Sequence, residues 1–426
     1  MRWWSLVVLG ACVLSPTASW AYGEGEDIPW ASRVIHLLTN EARCDIGEAL
    51  SECGAHCDAE WSCYGLSLPP VYWDDELYRA AQFHATMVSA TEGASWGCMQ
   101  HDSPCTLKST VAQDFPAVCD GRPACACEEG AAVCGQKGTS FGDRIGMFAS
   151  GMTGMGENIA VASTPLATFE SWIFEDGELT GCEFSSANGH RRNILNSGYD
   201  SLGVGWIEGK QSVQDFKSGG DHHEIITSGS HYVDGDGVLW FKFHTYVGKA
   251  EIDEPTLRPI IGKATLSFGG ECHSMEPIRL VDSSFSNVVW GVSDVGSSKT
   301  CVPYFFEGID DDGRVTRYPT TGYLLYQCDK AWSAEGQTES CIKSASCTQA
   351  EKCASALPLY CQQGRWEYAY DQFCKENSDG TWSMEAFSNC DCQISRKPAS
   401  LSWWMCLIVL PVGIALRARR LGRREG

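Results

Sequence analysis

Four segments of the 426-residue chain place paired polar groups beside glycine or aromatic residues: His101-Asp102-Ser103-Pro104, Gly156-Glu157-Asn158-Ile159, Trp172-Ile173-Phe174-Glu175, and Gly189-His190-Arg191-Arg192-Asn193-Ile194-Leu195. Imidazoles and carboxylates move protons near neutral pH and ligate divalent metals, so these are the residue types from which a site could be built. Each segment alone is weak, because an isolated His or Glu is usually a solvated or hydrogen-bonded group. What informs is their order, and their place between helical patterns and strand patterns.

Other chemistry-bearing patterns carry less. G-x-S-x-G occurs at Gly93-Ala-Ser95-Trp-Gly97 and Gly138-Thr-Ser140-Phe-Gly142. Neither follows the buried strand that lifts a nucleophilic serine above a sheet. His222-His223-Glu224 sits in a polar stretch and reads as a solvated loop. Asp310-Asp311-Asp312-Gly313 and Asp234-Gly-Asp236-Gly lack the glutamate that closes a calcium loop, and read as hairpin turns.

The elements that would position the four segments follow from periodicity. Val34, Leu37, Leu38 and Ala42 mark one face of a helix that includes Asn40 and Arg43. A second helix starts near Asp74, where Asp74-Asp75-Glu76 puts negative charge at the positive end of the helix dipole. Its apolar face is Leu77, Ala80, Ala81, His84 and Val88, with His84 read as a packed core residue. Leu166, Phe169, Trp172 and Ile173 define a third helix; Leu202–Trp206 and Leu239–Phe243 read as two strands joined by a polar loop of about 30 residues. This is an α+β pattern, or helices sandwiching one sheet.

Taken together, the Asn40/Arg43 helix, Trp73-Asp74-Asp75-Glu76-Leu77, His101-Asp-Ser-Pro, Gly156-Glu-Asn-Ile-Ala160, Trp172–Glu175, Gly189-His-Arg-Arg-Asn-Ile-Leu195 and Gly203-Val-Gly205 resemble the CAP superfamily, or SCP domain. The resemblance runs from about Val34 to Val247. It implies an α-β-α sandwich with a central cavity lined by two histidines and two acids, which map by motif onto His101, Glu157, Glu175 and His190. Asn158, Trp172 and Asn193 would support them. Glu175 is the least secure of the four, since Asp176 and Glu178 stand beside it. The chain departs from the pattern in an insertion over residues 105–138 that carries five cysteines, and in the polar stretch after Trp206.

Two imidazoles and one or two carboxylates converging on a concave site suit a divalent metal such as Zn2+, with a position left open to water. A metal-bound water could then hydrolyse a substrate, with a glutamate as general base. The same four groups could equally form a closed hydrogen-bonded network.

Composition sets the context. A net charge of -22 excludes nucleic acid as a partner, and 43% hydrophobic content excludes a disordered chain. An apolar run from Trp3 to about Leu14, ended by Pro16 and followed by Ser19-Trp20-Ala21, reads as a secretory signal over residues 1–21; Leu9-Gly-Ala-Cys12 is a rival lipoprotein reading. Setting aside Cys12 and Cys406, the remaining 21 cysteines read as a disulfide framework outside the cytosol, with one thiol left over. Pro398–Leu416 is uncharged over 19 residues and is followed by five arginines, which predicts a membrane-spanning or sorting tail held with its arginines in the cytoplasm. That tail resembles bacterial C-terminal sorting signals.

The expected order is therefore signal 1–21, CAP domain 22–250 with its insertion at 105–138, a small antiparallel β domain 251–328, a cysteine-rich module 329–392 and a tail 393–426. The expected function is an exported, anchored CAP-domain protein that binds an extracellular lipid, glycan or protein, with a divalent metal at the His/Glu cavity as an optional aid. A metal-dependent secreted hydrolase using the same four residues is the alternative, and the balance leans away from an enzyme.

Overall fold

A computed structural model describes residues 28–51, 53, 57, 60–91, 98–115, 123–175, 182, 188–220, 222, 224–247, 261–280, 286–293, 295–296, 301–310, 315–319, 322–328, 332–333 and 341, with five strands between 351 and 386. The signal, the Gly93–Gly97 motif and the 398–416 segment lie outside the described residues. Among the described residues no helix is long and apolar enough to cross a membrane.

The first helix, α1 (Trp30–Cys44), is buried along almost its whole length, polar residues included. Its apolar side packs with Leu202, Val204 and Phe216, which belong to strands β3 (Ser201–Ile207) and β4 (Gln211–Ser218). A short α2 (Ile46–Ser51) follows. The polar residues of α1 tie loops down. Asn40 accepts from Val71 N at 2.9 Å and donates to Val71 O at 3.0 Å. The Arg43 guanidinium donates to the carbonyls of Pro69, Ile194, Asn196 and Tyr199.

After β1 (Tyr72–Trp73), helix α3 (Asp75–Ala90) begins as its charges predict. Asp74 is the N-cap and accepts from Leu77 N at 2.9 Å, satisfying one of the first-turn donors that have no partner inside the helix. Leu77, Ala80, Ala81, His84 and Val88 are all buried. The helix backbone lies directly on β3: a Cβ at Gly203 or Gly205 would collide with the backbone of Leu77–Tyr78 or Ala81–Gln82. These two glycines permit the close approach.

Short helical turns α4 (Val111–Asp114) and α5 (Pro123–Ala126) belong to the insertion, followed by α6 (Phe141–Phe148), β2 (Gly154–Ala160), α7 (Pro165–Ile173) and α8 (Gly189–Ile194). Disulfides Cys98–Cys134 and Cys105–Cys127 staple the insertion, and Cys53–Cys57 and Cys63–Cys182 staple the segment after α2. Cys44 is free and buried.

The first sheet has the order β1-β3-β4-β2, with β1 parallel to β3 and the other pairs antiparallel. Strand β2 is therefore an edge. The second sheet has nine strands and contains β5 (Ile226–Val233), β6 (Leu239–Tyr246), β7 (Ile261–Phe268), β8 (Glu271–Leu280), β9 (Asn287–Ser293), β10 (Val302–Asp310), β11 (Val315–Tyr318), β12 (Tyr323–Tyr326) and β13 (Trp332–Ser333). The molecule thus has mixed helix and sheet content, a β-rich C-terminal part and several disulfides.

Two sequence expectations change here. The polar stretch after Trp206 is not a loop: it holds β4 and β5, and β6 pairs with β5 and β9 rather than with β3. Strands on both sides of residue 250 consequently share one sheet, so no boundary between separate sheets falls there. Hydropathy misses β4 and β5 because their polar side chains are buried and paired. Gln214 Nε2 donates to Thr39 Oγ1 at 2.8 Å, and Thr227 Oγ1 meets His244 Nδ1 at 2.6 Å. Likewise, Cys341 bonds back to Cys272, so the 329–392 stretch does not keep all its cysteines to itself.

Compact units divide the chain at Ser344/Ala345. The second unit contains β14 (Glu351–Ala354), β15 (Leu357–Gln362) and β16 (Arg365–Tyr368) as one antiparallel sheet, and β17 (Gln372–Glu376) with β18 (Trp382–Ala386) as another.

Candidate functional site

The site is organised by edge strand β2. Successive residues of a strand point to opposite faces, so Glu157 and Asn158 serve two different clusters.

On one face, Glu157 Oε1 meets His101 Nδ1 at 2.9 Å, and Glu157 Oε2 pairs with Arg144 Nη2 of α6. Arg144 Nη1 also donates to the His101 carbonyl at 2.7 Å. A single buried guanidinium therefore fixes both the acid and the loop that carries the imidazole. Ser140, the serine of the second G-x-S-x-G match, is the N-cap of this helix and accepts from Asp143 N at 3.1 Å. It serves the helix and sits on no strand-to-helix elbow.

Burial alone would raise the Glu157 carboxyl, but the Arg144 charge and the His101 hydrogen bond outweigh it and bring it to about 2. Directly across the ladder stands Asp215 of β4. Burial, reinforced by the Glu157 charge, pushes its carboxyl well above the usual carboxylate range. His84 backs the same cluster: burial, with repulsion from Arg144, lowers it to about 3, and Nε2 meets Gln100 O at 2.9 Å. It is a core residue, as its place on the α3 face implies.

On the other face, Asn158 Nδ2 donates to the His190 carbonyl at 3.2 Å and to Gln214 Oε1 at 2.9 Å. Asn193 Nδ2 bridges the faces, donating to Glu157 O at 3.1 Å and to Asn158 Oδ1 at 2.8 Å. His190 Nδ1 pairs with Glu175 Oε1 at 2.7 Å. Glu175 Oε2 accepts from the backbone N–H of His190 at 2.9 Å and of Arg191 at 3.3 Å. Glu175 is thus spent as the anionic cap of α8 as well as the partner of His190. Trp172 is fully buried, with its ring 6.5 Å from that of His190. Asp176 and Glu178 lie outside the described residues.

Sequence reasoning missed the residues that hold this arrangement. Arg191 donates through Nε and Nη2 to the buried carboxylate of Glu60, at 3.2 and 2.9 Å. Glu60 also accepts from Tyr64 Oη at 2.8 Å and Asn188 Nδ2 at 3.1 Å. Burial would raise the Glu60 carboxyl, yet these partners carry it below its ordinary value. No periodicity marks Glu60, because Arg191 and Asn188 come from a segment more than a hundred residues away. Gly156 is explained by space. A Cβ there would stand 2.6 Å from Tyr199 Oη and 2.9 Å from Asn193 Oδ1, so glycine lets both groups close on the strand.

Around the start of β2 lies a hollow of about 630 Å³ whose wall includes His101, Glu157, Asn193, Arg192, Tyr64, Phe141, Met155 and Tyr199. Of the four histidines and acids, His101 and Glu157 form part of this wall. His190 and Glu175 make a separate pair, joined to the first through Asn158 and Asn193. In each pair the carboxylate engages Nδ1, which leaves Nε2 as the ring atom open to a ligand. The His101 side chain is 47% exposed and that of His190 28%.

As a metal centre the donor set fits poorly. Both Glu157 oxygens are committed to Arg144 and His101, and both Glu175 oxygens to His190 and Arg191. Among the described residues no three His, Cys, Asp or Glu gather in a group that could hold a metal ion.

His222 is packed, not solvated: it stacks on Tyr72 with ring centroids 4.4 Å apart and shares a hydrogen bond with Ser201 Oγ at 2.8 Å. With Asp200 nearby this constellation has the composition of a catalytic triad but the wrong geometry. Ser201 donates its proton to Asp200 Oδ1 at 2.7 Å, and Asp200 lies on the same imidazole nitrogen as the serine. A working triad holds the opposite nitrogen. His223 lies outside the described residues. The Asp234 motif is a hairpin turn, its carboxylate accepting from Asp236 N and Val238 N, as read from sequence.

Comparison with known proteins agrees with this part of the chain. Residues 36–216 match the CAP family, described as the cysteine-rich secretory protein family. The match covers less than half of the chain; such domains, like the disulfides found here, are typical of extracellular proteins. No curated protein matches it. A crystal structure of an extracellular protein containing an SCP domain from Bacillus anthracis str. Ames is similar at 24% identity, over 35% of this chain and 34% of that one, with a TM-score of 0.22. The chain thus spans about a third of that protein's length.

Proposed function

We propose that this is an exported, surface- or membrane-anchored CAP-domain protein that binds an extracellular lipid, glycan or protein in the hollow beside His101 and Glu157. The CAP residues would form an α-β-α sandwich, with α3 and the α1/α7 layer covering the two faces of the first sheet. The observation that carries the reading is the hollow of about 630 Å³ at an edge strand, whose wall combines Phe141, Met155, Leu195 and Tyr199 with His101, Arg192 and Asn193. Apolar walls with a few fixed polar groups are what a ligand pocket needs.

Hydrolysis is the weaker reading. A general base must be free to take a proton, and Glu157 is pinned by a buried guanidinium that favours its ionised, hydrogen-bonded state. A divalent ion such as zinc would have to use the Nε2 atoms of His101 and His190, since the carboxylates are committed.

The pocket is tested by a thermal-shift panel of fatty acids, sterols and short glycans against wild type and Ser197→Trp, which places an indole in the hollow from its wall. The reading expects at least one panel member to raise the melting temperature of wild type and not of the variant. A panel in which no member loses its effect in Ser197→Trp would overturn it.

A further inference from the structure

A second hollow, of about 400 Å³, lies between α1, α7, the β5–β6 hairpin and Arg279 of β8. Its floor is a fixed network. The Glu41 carboxylate, buried on α1, accepts from Lys242 Nζ at 2.8 Å and from Tyr232 Oη at 3.4 Å, with Arg279 Nε at 3.5 Å. The Lys242 ammonium stands 4.9 Å from the Tyr232 ring centroid and 5.0 Å from that of Trp240. Asp234 holds the indole in place, accepting from Trp240 Nε1 at 2.8 Å. Phe169 and Phe174 extend the aromatic wall, and Asp45, Glu170 and Asp236 add carboxylates around it.

The lining discriminates among ligand classes. A purely apolar ligand would strand these charged groups out of water. An anion would meet five carboxylates against two cations. A bare divalent ion needs converging oxygens, and no such group of three gathers among the described residues. A compact organic cation drawn to these rings would meet the like charge of the Lys242 ammonium, which stands beside them. A ligand with an apolar C–H face and many hydroxyls meets none of these objections. Its face can lie on an aromatic wall, while each hydroxyl donates to a carboxylate or accepts from an ammonium or guanidinium.

We propose that this hollow is a binding site for a neutral saccharide, separate from the His101 pocket. Tyr232, Asp234, Trp240, Lys242 and Arg279 lie beyond residue 216, outside the segment that matches the CAP family, while Glu41, Asp45 and Phe169 lie within it.

The test is saturation-transfer NMR and calorimetry on the intact protein with cellobiose, maltose and N,N′-diacetylchitobiose, and with spermidine as a cationic control. At least one disaccharide should bind. Trp240→Ala should weaken it about tenfold through loss of the aromatic face, and Asp45→Asn, which keeps a side-chain oxygen for capping α2, several-fold. Ser197→Trp should leave it unchanged. Should Trp240→Ala not fold, Asp45→Asn decides. The proposal is overturned if none of the three sugars binds, if spermidine binds in their place, if binding survives Asp45→Asn, or if Ser197→Trp abolishes it. That last variant separates failure here from failure of the His101 pocket.

Discussion

Arg144 reaches Glu157 and the backbone carbonyl of His101 from one buried guanidinium, so acid and imidazole loop are positioned by a residue outside the four-residue motif. Replacing it by Met strands a buried carboxylate. Arg144→Met should cost about 3–5 kcal/mol of stability, read in urea unfolding. The double variant Arg144→Met/Glu157→Gln should recover part of that loss; if it recovers none, the ion pair is not the source.

Glu60 plays the same part for α8. Glu60→Gln leaves Arg191 buried without its bidentate carboxylate, and should destabilise by about 3 kcal/mol or more. The His190 ring resonances should shift with it, because Arg191 and His190 share the first turn of the helix. Unchanged His190 chemical shifts would disconnect Glu60 from the site.

Gly156→Ala puts a methyl against Tyr199 Oη and Asn193 Oδ1. Overpacking of this kind costs about 1–3 kcal/mol, and it should displace Asn193 and alter the hollow. A crystal structure of the variant with Tyr199 and Asn193 unmoved would refute the steric account.

Stability should fall steeply on mild acidification. Burial lowers His36 and His244 to about 4, and His84 and His231 to about 3, so all four are neutral in the fold. Below about pH 6.5 the unfolded chain takes up protons that the folded chain refuses, so stability is present above that pH and is lost as pH falls towards 4 and then 3. The slope is about 1.4 kcal/mol per pH unit for each histidine. Glu157 acts in the same direction at lower pH, its contribution being present above about 4.5 and lost towards 2. Asp215, with its carboxyl raised, acts in the opposite direction. Thermal melts between pH 7.5 and 4 check this; a flat profile contradicts the burial of neutral imidazoles.

The cross-link Cys63–Cys182 spans 119 residues and ties the Glu60–Tyr64 segment to the chain just before α8. Cys63→Ser/Cys182→Ser should lower stability by up to about 4–5 kcal/mol on the chain-entropy account. The other bridges inside the loop reduce that figure. A melting temperature equal to that of wild type would show that the bridge adds nothing to the fold.

Much of the CAP portion could be read from residue types. The α3 cap at Asp74 and its buried face lie where local pattern put them. What could not be read is held together by long-range polar contacts. Strands β4 and β5 look like loop because Gln214, Thr227 and Ser228 are polar, and only their distant partners make them fit for a buried sheet. Arg144, Glu60 and Tyr199 escape for the same reason. The expected convergence of four groups on one metal depends on where the carboxylate oxygens point, and pattern cannot fix that: here each oxygen turns to a nearby N–H or guanidinium.

Zinc calorimetry on wild type and on His101→Ala/His190→Ala tests most directly whether the two histidine–acid pairs are self-contained. The account predicts no tight stoichiometric site that disappears in the double variant. One zinc per chain, bound by wild type and lost when both imidazoles are removed, would contradict it.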